Sequence, residues 1–326
     1  MSATVSARPD WSSVTRAVYR VRQHYRYEYT GPVWDLHQRL VMIPPDRHGD
    51  QRLLQHDLAI RGTEGDHRTM WERDAFGNRV ARVVANRVPV AIDFEATYRV
   101  ERTRPGPGAA AAAPWTSTAG RLDYVRPTAL TAPDRRLTDR AREIGRRTAD
   151  SRERAEHAHE WTAGAIAYQF GITGYTTPAA MALHLGKGVC QDYAHILLAL
   201  LRLLDIPCRY VSGQLVGEGA PHAWVEAIIE PATSLVSGPG GPGGPGWPGG
   251  PGGSAAGDVE IVAYDPTHRR RARMDYLTVA VGRDFADVSP TSGIYSGPAA
   301  GRISSTKRAE AVEVESASGP PTEAVA

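Results

Sequence analysis

The sequence predicts an α+β protein in which an antiparallel β domain precedes a mixed core of helices and strands. Short segments with a period of two follow one another from residue 14 to residue 103, with turn signals between them and no helical pattern. From Asp134 onward the apolar residues recur at spacings of three and four, and strands return only after a leucine-rich segment at 190–204.

Six segments predict the strands of the N-terminal domain, residues 1–103. Tyr19, Val21 and Tyr25 share one face of the first segment, and Arg20 and Arg22 occupy the other face, as in a half-buried strand. Gly-Pro, Pro-Pro and Asp-Ala-Phe-Gly-Asn sequences supply turns. The predicted strands are 14–29, 36–43, 53–61, 69–72, 79–85 and 90–101.

The segment 104–133 is interpreted as a linker, because 104–117 is rich in proline, glycine and alanine. A core domain follows at 134–300. Residues 301–326 are predicted to hold a terminal strand and a disordered tail.

Helices dominate the first half of the core. Asp134 precedes the first helical pattern, and Asp150 with Glu153 resembles a capping box at the start of the second. Two more helices are predicted at 177–185 and 190–204, with Gly186 and Gly188 in the turn between them. The predicted strands are 208–216, with a break at Gly213, 222–230 and 259–264. The segment 276–287 is predicted to contain one or two strands, and 310–315 a last one.

A Gly/Pro-rich tract at 238–253 interrupts the core. It can bury almost no apolar surface, so we predict a disordered insertion between two strands of a hairpin. Proline-rich tracts also bind partners as polyproline helices, and that alternative stays open beside the interpretation as an inert insertion.

Composition excludes several classes of function. The chain has 326 residues and a formal net charge of +2, which gives no reason to expect nucleic acid as a partner. The N-terminus lacks the apolar segment of a secretory signal, and no apolar run approaches the roughly 20 residues of a membrane helix. We therefore predict a cytoplasmic protein with no membrane partner.

Only two cysteines are present, Cys190 and Cys208. Two are too few for a disulfide framework or for a zinc site built on thiolates. A reducing compartment fits best, and Cys190 could remain a free thiol there.

Cys190 stands at the predicted start of a helix, where the helix dipole favours a thiolate over a thiol. His222 opens one predicted strand and Asp265 ends the next, so antiparallel pairing would bring the imidazole and the carboxylate together. This order of residue types suggests a nucleophile, its base and an orienting acid. The backbone N–H of Cys190 is one donor for an oxyanion, and the candidates for the second are Gln191, Trp224 and Tyr168.

Each of these residues taken alone also has a structural interpretation. A lone cysteine before a leucine-rich helix is more often a small buried residue, a histidine at a strand end is often structural, and Asp-Pro-Thr is often a turn. Cys208 is interpreted as core, Asp192 as a favourable partner of the helix dipole, and His195 as a packed helix residue.

Three motifs in order resemble the bacterial branch of the transglutaminase-like superfamily. GKGVCQDYAH, running on to LLDIPCRYVSG, resembles its cysteine motif, HAWVEAIIE its histidine motif and AYDPTH its aspartate motif. The segment VGRDFADVSPTSGIYSG resembles the sequence that follows in this branch, and the first half of the chain resembles its N-terminal β domain. His268 departs from the pattern, because asparagine often follows the threonine.

The resemblance implies a papain-like core with Cys190 as nucleophile, His222 as base and Asp265 as orienting acid. It implies a cysteine acyltransferase or a cysteine peptidase or amidase that acts on amide bonds of peptides or proteins through a thioester, with a primary amine as a possible acceptor. It implies no cofactor and no metal. The alternative is a catalytically silent interaction module with the same fold.

Overall fold

A computed structural model describes residues 9–105, 111–115, 117–230, 258–317 and 322–323. The chain divides into two compact units. The first consists of Met1–Pro105, Val211–Ala223 and Ala272–Ala326, and the second of Gly106–Tyr210 and Trp224–Arg271.

Among the described residues, strands fill the chain as far as residue 112, and helices and further strands follow. This order confirms the predicted α+β fold class. The strands are β1 (Val14–Tyr29), β2 (Val33–Leu40), β3 (Arg47–His48), β4 (Gln51–Arg61), β5 (His67–Arg73), β6 (Arg79–Val88), β7 (Ala91–Thr103), β8 (Ala111–Ala112), β9 (Ala167–Tyr168), β10 (Lys187–Gly188), β11 (Cys208–Leu215), β12 (Pro221–Ile229), β13 (Asp258–Asp265), β14 (Arg270–Arg271), β15 (Tyr276–Gly282), β16 (Thr291–Ser296), β17 (Gly301–Ser316) and β18 (Thr322–Glu323). The helices are α1 (Thr118–Val125), α2 (Arg135–Arg147), α3 (Ser151–Ala165), α4 (Ala179–Leu185), α5 (Cys190–Leu203) and α6 (Phe285–Val288).

Two antiparallel sheets form most of the first unit. One has the strand order β18-β17-β1-β7-β4-β3 and the other the order β16-β2-β6-β5. The long C-terminal strand β17 pairs with β1 along its length, from Val14 opposite Ser316 to Tyr29 opposite Gly301. The inward-facing residues of the two sheets form a continuous apolar core, which includes Tyr19, Val21 and Phe94.

The turn between β5 and β6 is held by its own side chains. Asp74 Oδ1 accepts hydrogen bonds from the backbone N–H groups of Phe76 and Asn78, and Gly77 has the positive φ that such a turn requires. The side-chain amide of Asn78 exchanges hydrogen bonds with the backbone of Val281, at 2.7 and 2.8 Å. The predicted turn therefore also ties β6 to β15.

Helices of the second unit pack around α5, which is buried along almost its whole length. Asp134 and Asp150 cap α2 and α3 by accepting hydrogen bonds from Leu137 N and Glu153 N, each at 2.8 Å. Both predicted helix starts are confirmed. Helix α1 lies in the segment interpreted as a linker, and its N-cap is Ser117, whose side chain accepts from Gly120 N.

The strand pair β12 and β13 carries the later candidate residues. The two strands are antiparallel, with Val225 opposite Tyr264 and Ile229 opposite Glu260. The predicted hairpin pairing is confirmed. The Gly/Pro-rich tract at 238–253 lies outside the described residues.

Arg209 and Glu226 form a buried ion pair in the second unit, with Arg209 Nε 2.6 Å from Glu226 Oε2. We predict that Arg209→Met lowers the free energy of unfolding by about 3 kcal/mol, because it removes the guanidinium from a buried carboxylate. The double variant Arg209→Met/Glu226→Leu should recover most of this loss. Urea unfolding measures both, and equal midpoints for the single and double variants would contradict the prediction.

Among the described residues, none of the helices combines the length and the apolar character of a membrane-crossing helix.

Candidate active site

Cys190 is the first residue of α5 and is partly exposed. Helix α4 ends at Gly186, whose φ of 64° reverses the chain, and β10 leads directly into α5. At the first helical position, the N–H of Cys190 points out of the helix and is not used by the helix itself. The thiol therefore stands beside backbone donors and the positive end of the helix dipole.

Asp192 holds the start of α5 in place. Its Oδ2 accepts hydrogen bonds from Val189 N at 2.7 Å and from Thr173 Oγ1 at 2.6 Å. The side chain is buried, and this burial raises the pKa of its carboxyl group. From the sequence, Asp192 is interpreted only as a partner of the helix dipole. Its carboxylate also fixes Val189, which precedes Cys190, and the loop that carries Thr173.

Gly188 leaves no room for a side chain beside Asp192. A Cβ added there would lie 2.6 Å from Asp192 Oδ2 and 2.7 Å from Asp192 Cβ. We predict that Gly188→Ala lowers the free energy of unfolding by about 1–3 kcal/mol and slows alkylation of Cys190, because the turn or Asp192 has to move.

Gly164→Ala is the matched control, since nothing lies within 4 Å of a Cβ added at this position in α3. It should stabilise the protein slightly, by about 0.5 kcal/mol. Urea unfolding and the rate of Cys190 alkylation measure both variants. The prediction is wrong if the two variants behave alike.

Asp265 ends β13 and is fully buried. Its Oδ1 accepts hydrogen bonds from the backbone N–H groups of Thr267 and His268, at 3.0 and 3.2 Å. Its Oδ2 lies 2.7 Å from His268 Nδ1. The carboxylate is thus rigidly placed, and the residue that departs from the family motif is one of its partners.

Helix α3 supports the end of β13 through His159 and Glu156, which both contact Tyr264. The ring centroids of His159 and Tyr264 are 5.0 Å apart, and Tyr264 donates its hydroxyl to Glu156 Oε1 at 2.9 Å. Burial lowers the pKa of His159, and a hydrogen bond with the Asp265 backbone offsets part of that effect. A neutral histidine therefore lies behind Asp265. No sequence motif points to His159, because its only signal is a place on the buried face of α3.

His222 is the second residue of β12 and is buried. Its ring centroid is 5.9 Å from that of Tyr276. Cys190 and Asp265 belong to the second unit and His222 to the first, so the three residues as a catalytic triad stay a prediction.

The remaining candidates have defined surroundings. Cys208 is completely buried, its Sγ lies 3.8 Å from the carbonyl oxygens of Tyr124 and Leu198, and burial raises its thiol pKa to about 11. His195 is also buried, which lowers its pKa to about 3. The core interpretations of both residues are confirmed.

Of the three candidate second oxyanion donors, Gln191 already donates its side-chain amide to Gly174 O at 3.3 Å. Trp224 is buried in β12, whereas Tyr168 is exposed.

Comparisons with known proteins define the class. Residues 138–239 match the family model of the transglutaminase-like superfamily, and residues 19–101 match the bacterial transglutaminase-like N-terminal region. The chain belongs to the transglutaminase-like superfamily and carries its bacterial N-terminal region. The resemblance seen in the sequence motifs is confirmed.

Two similar proteins come from mycobacteria. An uncharacterized protein of Mycobacterium leprae is 34% identical over 188 residues, which cover 54% of this chain and 56% of that protein. The chain thus spans little more than half of that relative. An uncharacterized protein of Mycobacterium bovis is 27% identical over 300 residues, 85% of this chain and 87% of that protein.

A solved structure supports the fold. A candidate cysteine protease from Cytophaga hutchinsonii superimposes with a TM-score of 0.67 over 92% of each chain, at 17% sequence identity. At this identity the similarity concerns the fold alone.

Proposed function

We propose that the protein is a cysteine-dependent acyl-transfer enzyme that acts on amide bonds of peptides or proteins through a thioester on Cys190. The observation that carries the proposal is the place of Cys190 within a transglutaminase-like core. A partly exposed thiol stands at the first position of a buried helix, on a turn fixed by Asp192. A structural cysteine needs none of these features, as the enclosed Cys208 shows.

In the proposed reaction, His222 takes the proton of the Cys190 thiol and the thiolate attacks the amide carbonyl carbon. The N–H of Cys190 donates to the developing oxyanion. The C–N bond then breaks, and His222 gives the proton to the leaving ammonia or amine. Asp265 orients the imidazole and stabilises its charged form.

The thioester is resolved in a second half-reaction. Water or a primary amine attacks its carbonyl, and His222 accepts the proton of the attacking group. The C–S bond breaks, and His222 returns the proton to the Cys190 thiolate to restore the starting enzyme. Water gives a peptidase or amidase, and an amine gives a transglutaminase.

We also propose that the partners are a peptide or protein substrate and, for transfer, a primary amine. Neither nucleic acid nor a membrane takes part. A reducing, cytoplasmic location suits this chemistry because both cysteines are free thiols, and the nucleophile has to stay reduced.

Incubation with casein and a peptide library, with and without a fluorescent primary amine, tests the proposal. Amine incorporation reports transfer, ammonia release without amine incorporation or cross-linking reports hydrolysis of side-chain amides, and new peptide N-termini report proteolysis. At least one product should form with the native protein and be absent with Cys190→Ala. If no product depends on Cys190, the silent interaction module replaces the enzyme.

A further inference from the structure

An apolar loop accompanies the nucleophile in the second unit. We define the aromatic loop as residues 168–175, with the sequence YQFGITGY. Four large apolar side chains on this loop are exposed, and the loop has no charged residue. They are Tyr168 (59%), Phe170 (87%), Ile172 (42%) and Tyr175 (70%). Such clustering differs from the scattered exposed apolar residues of an ordinary surface and marks a contact site.

The aromatic loop is attached to the turn that presents Cys190. Ala167 N donates to Gly186 O and Gln169 N to Gly188 O, each at 2.8 Å, in the parallel pair of β9 and β10. Thr173 bonds Asp192, and Gln191 bonds Gly174 O. Hydrogen bonds therefore tie both the beginning and the end of the loop to the segment around the nucleophile.

These bonds limit the distance from Phe170 to Cys190. Phe170 follows Gln169, which bonds Gly188, and Cys190 comes two residues later. Successive Cα atoms are about 3.8 Å apart and paired strands about 5 Å, so the two Cα atoms lie within roughly 16 Å of each other. An extended peptide covers this distance with about five residues.

We propose that the aromatic loop recognises an apolar side chain of the peptide or protein substrate, within about five residues of the amide that Cys190 attacks. This rests on the proposed function and names the substrate class: segments with a large aliphatic or aromatic residue near the reacting amide. A nucleic acid is disfavoured, because the loop lacks cations for phosphates. Loop and nucleophile are held as one piece, so binding on the loop positions the amide at Cys190.

Undecapeptides that carry a chloroacetamide on a central side chain provide the probe. The Cys190 thiolate displaces chloride and forms a thioether, which mass spectrometry locates on the protein. The parent peptide contains only glycine and serine around the centre, and ten further peptides place one leucine at each flanking position. Iodoacetamide is too small to reach the loop, so its reaction rate measures the intrinsic reactivity of the Cys190 thiol.

With native protein, leucine at one or more positions should raise the second-order rate constant for Cys190 labelling by about tenfold, as partial burial of such a side chain allows. Phe170→Ser should remove this gain and leave the iodoacetamide rate unchanged. Val90→Ser is the matched control, as it removes another exposed apolar side chain outside the loop, and it should keep the gain.

The outcomes separate the two proposals. If Cys190 reacts slowly with iodoacetamide in the native protein, the proposed function fails. If iodoacetamide reacts fast but Phe170→Ser keeps the leucine gain, the loop proposal is wrong while the enzyme stands. A native dimer, detected by sedimentation, that dissociates in Phe170→Ser would assign the loop to a second copy of the chain and also overturn the proposal.

Discussion

Replacing Cys190 with alanine will abolish amide turnover, by at least about 10⁴-fold in kcat, and leave the fold intact. The loss is large because the nucleophile of a covalent mechanism has no substitute. The change in stability should stay below about 1 kcal/mol, since the side chain is only partly buried at a helix start. Turnover of the casein and peptide substrates, with urea unfolding, measures both quantities.

Cys208→Ala is the matched control and should show the reverse pattern. Its sulfur fills a fully buried position between α5 and the carbonyl of Tyr124, so the substitution leaves a small cavity. We expect a loss of about 1 kcal/mol of unfolding free energy and unchanged activity per folded molecule. Turnover retained by Cys190→Ala, or lost in a folded Cys208→Ala, would contradict the assignment of the nucleophile.

The second large effect concerns the choice of base. His222→Ala should lower kcat/KM by about 10³-fold or more, whereas His268→Asn should stay within about tenfold of the native value. The structure makes this comparison necessary, because His268 is hydrogen-bonded to the same carboxylate that is proposed to orient His222. His268→Asn removes the imidazole, but the asparagine side chain can still donate a hydrogen bond to the Asp265 carboxylate.

Asp265→Asn completes the comparison. An amide oxygen can replace one carboxylate oxygen, but the amide presents N–H groups to an imidazole and stabilises no charge on it, so kcat/KM should fall by about 10²–10⁴-fold. Steady-state kinetics on folded variants measures all three. If His268→Asn loses as much activity as Asp265→Asn while His222→Ala stays active, the base is His268 and the assignment of His222 is wrong.

Local patterns predicted most of the elements around this site. The cap at Asp134, the cap at Asp150 and the helix start at Cys190 follow from short-range chemistry that each segment carries by itself. The strands of the N-terminal half could also be predicted locally, because the alternation of apolar and polar residues shows which face of the strand each residue occupies.

The sequence did not predict which strand of the N-terminal half the last strand pairs with. Strand 310–315 was predicted, but not that β17 starts at Gly301 and pairs with β1 at the other end of the chain. A half-buried pattern shows which face is inward and does not name the neighbouring strand. The Asp192–Thr173 bond and the His268–Asp265 pair depend on loop conformations that no periodicity records.

Alkylation of the native protein with iodoacetamide from about pH 5 to pH 9 tests the central claim most directly. Mass spectrometry reads Cys190 and Cys208 separately. We expect fast modification of Cys190 near pH 6 that is lost in His222→Ala. Cys208, with its pKa raised to about 11 by burial, should stay slow throughout. Slow alkylation of Cys190 at pH 6, with the same pH profile in His222→Ala, would contradict an activated cysteine nucleophile.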